Sequence, residues 1–316
     1  MRLPTRGPAA SECLLPSRPA KALKWTSVTA PAHFVHENGK SRAVCLRCAE
    51  RSCMSFSSDE NVGARVAGLL SVCPANALSF DETTGRPEPS VRCIGCGICV
   101  LRCPFGALFI DAETNRVRSL PPEGAGDFTY GGAADVRKLG KELVREAPSS
   151  NKRLVADSKI LTRNVGASTQ DTFYPLVGSL LTTLGLPTRV TRRGDTGLRF
   201  DAVILVDDAA VPIEIKSPTE VDAASIKAVQ QALENRIVLL SRRLYSTNST
   251  STSLVVSYAP AAARSDVAFL VDDIWEAFSV AIGLIDVRAL FELALGASLA
   301  GWGIQREDLL ELRGEW

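Results

Sequence analysis

Eight of the nine cysteines lie between Cys45 and Cys103, and this crowding restricts the fold more than any other feature of the chain. The last four are spaced C-x2-C-x2-C-x3-C and are followed by a proline; they are Cys93, Cys96, Cys99 and Cys103. This spacing is typical of iron–sulfur ligation, since closely spaced thiolates can wrap one corner of a cubane cluster. A segment organised around such a cluster needs only a small apolar core.

A repeat of 30 residues extends this pattern upstream. The segment CPANALSFD at 73–81 matches CPFGALFID at 103–111, and a Thr and an Arg recur at the same offset further on. Each copy predicts a turn or short helix after the cysteine, then a strand, and then an Asp that opens the next turn. Three further cysteines, Cys45, Cys48 and Cys53, are spaced C-x2-C-x4-C and precede Cys73 by a 19-residue insertion with a predicted helix over 62–70.

Over residues 32–120 the chain therefore resembles the bacterial ferredoxin family with two [4Fe-4S] clusters. The resemblance implies an α+β ferredoxin-like module in which the ligand sets cross. One cluster would be held by Cys73, Cys93, Cys96 and Cys99. The other would be held by Cys45, Cys48, Cys53 and Cys103. The wider spacing before Cys53 leaves the type of the second cluster open, and a zinc site with one set of four thiolates is the alternative.

The composition is that of a folded chain, and the length suits two domains. It has 316 residues, 46% hydrophobic and 22% charged, with a formal net charge of +1. At about 100–200 residues per domain, this length predicts two domains. We expect a disordered leader over 1–31, the cluster domain over 32–120, a linker with one helix over 121–151, and a second domain over 152–316.

Compartment and partners follow from the same features. No segment reaches the roughly 18 uncharged apolar residues of a membrane span, so no membrane partner is expected. Cysteines in tight metal-ligand groups are typical of a reducing compartment, which predicts a cytoplasmic location. Because the net charge is close to zero, any attraction to nucleic acid must come from local basic groups. Two such groups are Arg189, Arg192 and Arg193, and Arg236, Arg242 and Arg243.

A second set of charged residues lies within apolar, strand-like sequence. Asp201 belongs to LRFDAVILV, and Glu214 follows after 12 residues at the start of Glu-Ile-Lys. Side chains at i and i+2 of a strand share a face, so Glu214 and Lys216 point the same way, and a hairpin brings Asp201 beside them. Two carboxylates suit Mg²⁺ (or Mn²⁺), which activates water and polarises phosphate, and a lysine stabilises the developing charge. This set predicts phosphodiester hydrolysis.

From about Thr169 to Leu295 this arrangement resembles the PD-(D/E)xK nuclease superfamily. The resemblance implies an α/β restriction-endonuclease-like domain in which Asp201, Glu214 and the Ile215 carbonyl hold the metal and Lys216 is the catalytic lysine. The chain departs from the pattern in three ways. Phe200 replaces the usual proline, and the preceding helix carries no acid, which leaves three upstream candidates. These are Asp171, Glu142 and Glu146. On the following helix, Gln230 or Gln231 could approach the site, but no Tyr follows either of them at four residues.

The sequence also predicts the elements of this second domain. Helices are expected over Thr172–Leu184, with Asp171 as a possible N-cap, and over Ala223–Arg243. Val267–Leu295 is expected to be helical. Strands are expected over Leu198–Val206, Val211–Lys216 and Ser253–Tyr258.

Three functions are compatible with these patterns. The main hypothesis is a metal-dependent DNA endonuclease, as in restriction or genome defence, whose cluster domain serves structure, recognition or redox sensing. The alternative is a ferredoxin-type electron-transfer protein whose C-terminal domain is a non-catalytic docking or DNA-binding module. A third is a DNA-binding protein that the clusters stabilise and that does not cleave DNA. The expected partners are DNA, a protein or electron donor at the cluster domain, and a second copy of the chain.

Overall fold

The computed structural model describes fifteen stretches of the chain. They are residues 34–37, 40–43, 53–55, 71–83, 86–102, 108–110, 116–119, 151–191, 200–206, 209–221, 223–242, 252–300, 303–305, 308–309 and 312–315. The expected leader, the helix over 62–70, the linker helix, and the ligands Cys45, Cys48 and Cys103 lie outside them.

Where the N-terminal part is described, it forms antiparallel hairpins and one short helix. The strands are β1 (Phe34–Glu37), β2 (Lys40–Ala43), β3 (Leu78–Asp81), β4 (Arg86–Pro89), β5 (Leu108–Ile110) and β6 (Val117–Ser119), and the helix is α1 (Ile98–Leu101). They pair as β1–β2, β3–β4 and β5–β6. Leu78 pairs with Pro89 and Leu108 with Ser119, so the two copies of the repeat fold into the same hairpin.

The C-terminal part is built on a six-stranded sheet. Its strands are β7 (Thr188–Val190), β8 (Ala202–Val206), β9 (Ala209–Lys216), β10 (Thr252–Ser257), β11 (Ala281–Asp286) and β12 (Gly314–Glu315), in the order β12-β11-β10-β9-β8-β7. The pairs β7–β8 and β8–β9 are antiparallel, and the pairs from β9 to β12 are parallel. The helices are α2 (Asn151–Asn164), α3 (Gln170–Thr183), α4 (Ile226–Arg242), α5 (Val267–Phe278) and α6 (Val287–Ala300).

Helices cover both faces of this sheet. On one face, residues of α2, α3 and α6 pack with Ile213, Ile215, Leu254 and Val256 in one core cluster. On the other face, residues of α4 and α5 pack with Val255 and further strand residues. Because successive strand residues point to opposite faces, β10 is buried at every position, as expected of a central strand in a three-layer α/β domain.

The cluster module and the α/β domain share a core. Val72, Ile98 and Leu101 belong to the same buried cluster as the residues of α2, α3 and α6. Two apolar surfaces that are buried against each other stabilise both parts, so the two domains predicted from length are packed together.

The helical structure predicted over Val267–Leu295 is confirmed in α5 and α6 but is wrong for the segment between them. Helix α5 ends at Phe278, its C-cap Ser279 adopts a left-handed conformation with φ 53°, and β11 lies between α5 and α6. The segment AIGLID is buried on both faces of the sheet, and such a run lacks the alternation that would distinguish a strand from a helix. The N-cap of α3 is Thr169 rather than Asp171, and α2 and β7 were not predicted.

Candidate functional site

The end of the β8–β9 hairpin brings Asp201 next to the Glu-Ile-Lys segment. Ala202 pairs with Ile213, and the backbone amide of Asp201 donates to the Ile213 carbonyl at 3.2 Å. In this antiparallel register, Asp201 is opposite Glu214. The site lies at the carboxyl end of β9, and the carboxyl ends of parallel strands are where ligands of open α/β sheets bind.

Glu214 is a buried carboxylate with partners on both oxygens. Its side chain points away from Ile213 and Ile215, which are fully buried on the other face of the sheet, and Glu214 itself is 4% exposed. Its Oε1 accepts from Lys216 Nζ at 2.6 Å, and its Oε2 accepts from Asn235 Nδ2 at 2.7 Å. A buried charge requires such partners, so α4 and β9 fix this carboxylate together.

Asp201 is partly buried, and its environment opposes its charge. Burial and the negative charge of Glu214 raise the pKa of Asp201 to about 7, although the Ile215 amide donates to its Oδ2 at 2.8 Å. Two carboxylates that repel each other in a poorly solvated site are stabilised by a cation between them.

A hydrogen-bond network that the sequence did not predict borders these residues. Glu220 Oε2 accepts from the backbone amide and the hydroxyl of Ser217 at 3.1 and 2.8 Å, and Gln170 Nε2 donates to its Oε1. The Tyr174 hydroxyl is 3.0 Å from the Ile215 carbonyl oxygen and 3.2 Å from Glu220 Oε2. Tyr174 and Gln170 are four residues apart on α3, which places them on one helix face. In the sequence, this spacing was the feature that could have indicated their shared contact with Glu220.

The surroundings of Glu220 and Tyr174 shift the pKa values of these two side chains in opposite directions. Burial acts to raise the pKa of Glu220, but the hydrogen bonds from Ser217 outweigh it and lower that pKa. Burial and the negative charges of Asp201 and Glu220 raise the pKa of Tyr174. Glu220 is therefore held as a carboxylate, and the Tyr174 hydroxyl keeps its proton.

Several accessory predictions need revision. On α4, Asn235 makes the contact with Glu214, whereas Gln230 is exposed. Gln231, one turn before Asn235, has a buried Oε1 without a hydrogen-bond partner. Arg236 is only 2% exposed and its Nη1 donates to the Ala210 carbonyl, so it is not available to bind phosphate. Arg192, Arg193, Arg243, Glu142 and Glu146 lie outside the described residues.

The donor set fits a hard cation. It comprises two carboxylates, Asp201 and Glu214, and the carbonyl of Ile215, an oxygen with two lone pairs that also accepts from Tyr174. Within the described ranges, no three His, Cys, Asp or Glu side chains are arranged to hold a single metal ion. Mg²⁺ commonly binds through one or two carboxylates and completes its shell with water and phosphate.

The second site is an open pocket in the N-terminal part. Four of the predicted ligands line it together with apolar side chains; they are Cys73, Cys93, Cys96 and Cys99. These four are the ones that the ferredoxin resemblance groups in one cluster. Cys53, assigned to the other cluster, is buried in a small core that also contains Cys99.

The chemistry of the pocket fits a soft metal cluster. Burial raises the pKa of Cys96 to about 12 and raises that of Cys99 as well, so these thiols ionise only if a metal compensates their charge. The Ala77 amide lies 3.2 Å from Cys73 Sγ, and such bonds to sulfur tune iron–sulfur centres.

The ligand loop is tied to the α/β domain by two contacts. Asn164 Nδ2 donates to the Gly95 carbonyl at 3.3 Å. Gly97 has φ 78°, and a Cβ at this position would lie 2.6 Å from Leu161 Cδ2. Only glycine suits both this conformation and this approach.

Comparison with known proteins finds similarity in the cysteine-rich part. A family model described as "4Fe-4S binding domain" matches residues 91–109. The putative electron transport protein YsaA of Escherichia coli K12 is 37% identical over 54 residues, which are 17% of this chain and 34% of that protein. Hydrogenase-4 component A of the same organism is 34% identical over 95 residues, 30% of this chain and 33% of that protein.

A third relative, the formate dehydrogenase-O iron-sulfur subunit of Escherichia coli K12, is 39% identical over 51 residues, covering 16% of this chain and 17% of the subunit. The matches span about a third or less of these relatives' own length. The chain carries a ferredoxin-like 4Fe-4S motif, and these findings support 4Fe-4S cluster binding.

Among solved structures, the chain is similar to the restriction endonuclease FokI. The TM-score is 0.39 at 11% identity, covering 66% of this chain and 38% of that one. None of the helices in the described ranges has the length and apolar character of a membrane span.

Proposed function

We propose that the chain is a Mg²⁺-dependent nuclease that hydrolyses phosphodiester bonds of DNA and carries two [4Fe-4S] clusters. The observation that carries this proposal is the convergence of Asp201, Glu214 and Lys216 at the carboxyl end of β9. The order of elements supports it as well: an apolar helix, an antiparallel hairpin with the charged residues, a helix and a parallel strand follow one another as α3, β8–β9, α4 and β10.

Each residue has a distinct task. Asp201, Glu214 and the Ile215 carbonyl would hold the cation, which supplies Lewis-acid activation of water and neutralises phosphate charge when bound. The Lys216 ammonium, 2.6 Å from Glu214 Oε1, is placed to stabilise the negative charge that develops on the phosphate oxygens. Hydrolysis joins the water oxygen to phosphorus and breaks the bond to the leaving oxygen, which takes up a proton.

The clusters would be bound by the two crossed cysteine sets, one of which corresponds to the pocket of Cys73, Cys93, Cys96 and Cys99. A reducing cytoplasm would keep these thiolates available. The shared core with α2, α3 and α6 supports a structural role for the cluster domain in the nuclease.

A second candidate is ferredoxin-type electron transfer, with the α/β domain as a non-catalytic docking module. The sequence comparisons favour this candidate, because their matches lie in the iron–sulfur part and their names describe electron-transport and oxidoreductase components. The buried Glu214, with its lysine and asparagine partners, favours the nuclease. The two candidates make opposite predictions for Lys216.

The test is nicking of supercoiled plasmid by anaerobically purified protein with Mg²⁺. We expect the wild type to nick DNA and Lys216→Ala to lower the rate about 100-fold or more, as for loss of one transition-state donor. Lys159→Ala, a change at an exposed lysine of α2, is the matched control and should cut as the wild type does.

Visible absorbance and iron and sulfide content confirm that the clusters are intact in each sample. If cluster-loaded wild type cuts neither DNA nor RNA with any divalent metal, the nuclease proposal is wrong and electron transfer becomes the better explanation. Colourless protein that contains only zinc would contradict the cluster assignment.

A further inference from the structure

Strand β9 continues beyond its last pair with β8. That pair is Ala202 with Ile213. Two residues further on, the Ile215 amide donates to Asp201 Oδ2 at 2.8 Å, and the Ile215 carbonyl lies 3.0 Å from the Tyr174 hydroxyl. The parallel pairing of β9 with β10 continues through these residues to Lys216. We call residues 214–216 the β9 overhang. Its central peptide groups are held by Asp201 and by Tyr174.

The Tyr174 hydroxyl is itself fixed. It is the donor in both of its contacts, so its one proton is shared between the Ile215 carbonyl at 3.0 Å and Glu220 Oε2 at 3.2 Å. Glu220 is an exposed residue whose carboxylate is held by two hydrogen bonds from Ser217 to one oxygen and one from Gln170 to the other. Gln170 and Tyr174 lie on the same face of α3, so one helix holds both the carboxylate and the hydroxyl.

This arrangement has a consequence for the overhang. The pairing with β10 sets the path of the strand through Glu214, Ile215 and Lys216. The bond from Tyr174 adds a restraint on the Ile215 carbonyl, which belongs to the peptide group between Ile215 and Lys216. A carbonyl oxygen has two lone pairs, so the Ile215 oxygen can accept from Tyr174 and also ligate a cation.

We propose that Tyr174, held in place by Glu220, is a positioning residue of the cation site, because it fixes the Ile215 carbonyl in the orientation that the cation needs. Glu220 acts through Tyr174 and takes the place of the acid that the preceding helix lacks, as a source of orientation rather than as a ligand. This inference rests on the proposed function, since it concerns the same site.

The test measures binding of Mn²⁺ by electron paramagnetic resonance, with cluster-loaded full-length protein and no nucleic acid. Partners of metal ligands typically contribute 10–100-fold to metal affinity. We expect Tyr174→Phe to weaken Mn²⁺ binding about tenfold, and Glu220→Ala to do the same. The double variant should also lose about tenfold rather than about 100-fold, because two residues that act through one contact are not additive. Tyr258→Phe, at a partly buried tyrosine near Gly166, is the matched control and should bind as the wild type does.

The outcomes separate this inference from the proposed function. Wild type that binds no Mn²⁺, or binds it unchanged in Asp201→Asn, overturns both. Wild type that binds at Asp201 while Tyr174→Phe binds equally well overturns the positioning role alone, and so does a lowered melting temperature with unchanged affinity. A loss of about 100-fold in the double variant overturns the action of Glu220 through Tyr174. Circular dichroism monitors the fold, and Glu220→Gln replaces Glu220→Ala if the latter unfolds.

Discussion

Glu214 carries the strongest single-residue argument for function. A carboxylate that is 4% exposed is costly to keep charged, and it is retained here with a lysine and an asparagine as partners. A residue that served only packing would be apolar, since burial of a charge needs compensation. The position therefore indicates chemistry, and its partners can be tested one at a time.

The partner most open to test is Asn235. Asn235→Ala removes the donor to Glu214 Oε2 and leaves a buried oxygen unsatisfied, which typically costs about 1–3 kcal/mol. We expect urea denaturation to show a loss of unfolding free energy in this range, together with weaker Mn²⁺ binding. Glu234→Ala, next to it on α4 at an exposed position, should change neither. Equal stability of the two variants would contradict the role given to Asn235.

Asp201 should make the stability of the metal-free protein depend on pH. Its pKa is about 7 in the folded chain and about 4 when unfolded. Between these values the folded state binds the proton more strongly, so the unfolding free energy falls as pH rises from about 4 to 7, and the destabilisation is complete above pH 7. Asp201→Asn keeps an oxygen for the Ile215 amide and removes this effect.

The variant should therefore be more stable than the wild type at pH 8, on the order of 2 kcal/mol, and the difference should shrink towards pH 5. Urea denaturation at pH 5 to 8 without divalent cations measures it. Asp273→Asn, on the exposed face of α5, should follow the wild-type curve. A constant difference between Asp201→Asn and wild type at all pH values would show that the carboxylate does not titrate as argued.

At the scale of elements, the contact of the α1 loop with α2 determines how the cluster module is attached. Gly97 begins α1 in a left-handed conformation and approaches Leu161 of α2. Asn164, almost one turn later on α2, binds the Gly95 carbonyl. One helix thus supports a loop that carries predicted cluster ligands.

Two glycine variants separate strain from contact. Gly97→Ala and Gly185→Ala both place a side chain at positive φ, 78° and 84°, which costs about 1–2 kcal/mol. The space around Gly185 is open, since a Cβ there would have its nearest neighbour at 4.0 Å, whereas a Cβ on Gly97 would meet Leu161 at 2.6 Å. We expect the unfolding free energy of Gly97→Ala to be about 1–3 kcal/mol lower than that of Gly185→Ala, which is the usual cost of overpacking.

Thermal unfolding and iron content measure this difference. Leu161→Ala combined with Gly97→Ala should be less damaging than the sum of the two single changes, since the clash is then gone. If both glycine variants lose the same stability, the loop is not tightly packed against α2.

Some of these elements and contacts could be predicted from the sequence, and others could not. The β8–β9 hairpin was predictable because the acidic pair Asp207-Asp208 separates two short apolar runs, and the second run ends in the alternating segment Ile-Glu-Ile-Lys. Strand β11 was not, because a segment buried on both faces has no period that distinguishes it from the helices beside it. Tyr174 and Glu220 were missed because their contact joins positions 46 residues apart. Asn235 was missed in favour of Gln230 and Gln231, since the helix phase relative to the sheet is set only by packing.

For the whole molecule, the shared core is the main feature. Val72, Ile98 and Leu101, from around the cluster pocket, are buried with residues of α2, α3 and α6. Helix α3 also carries Tyr174, which reaches the β9 overhang. The two candidate sites are thus joined by one packed layer on one face of the sheet, while α4 and α5 form a separate core on the other face.

This asymmetry predicts the effect of cluster removal. Oxidation and chelation of the anaerobically purified protein remove the clusters, which order the ligand loop. The helices packed on that loop should then open more often. Hydrogen exchange should accelerate in α2 and α3 and remain unchanged in α5, which serves as the internal control. Mn²⁺ affinity at the carboxylate site should fall in parallel, because Tyr174 moves with α3. Exchange that accelerates equally on both faces would indicate global destabilisation, and exchange that changes only within residues 71–102 would show that the clusters and the β9 site are independent.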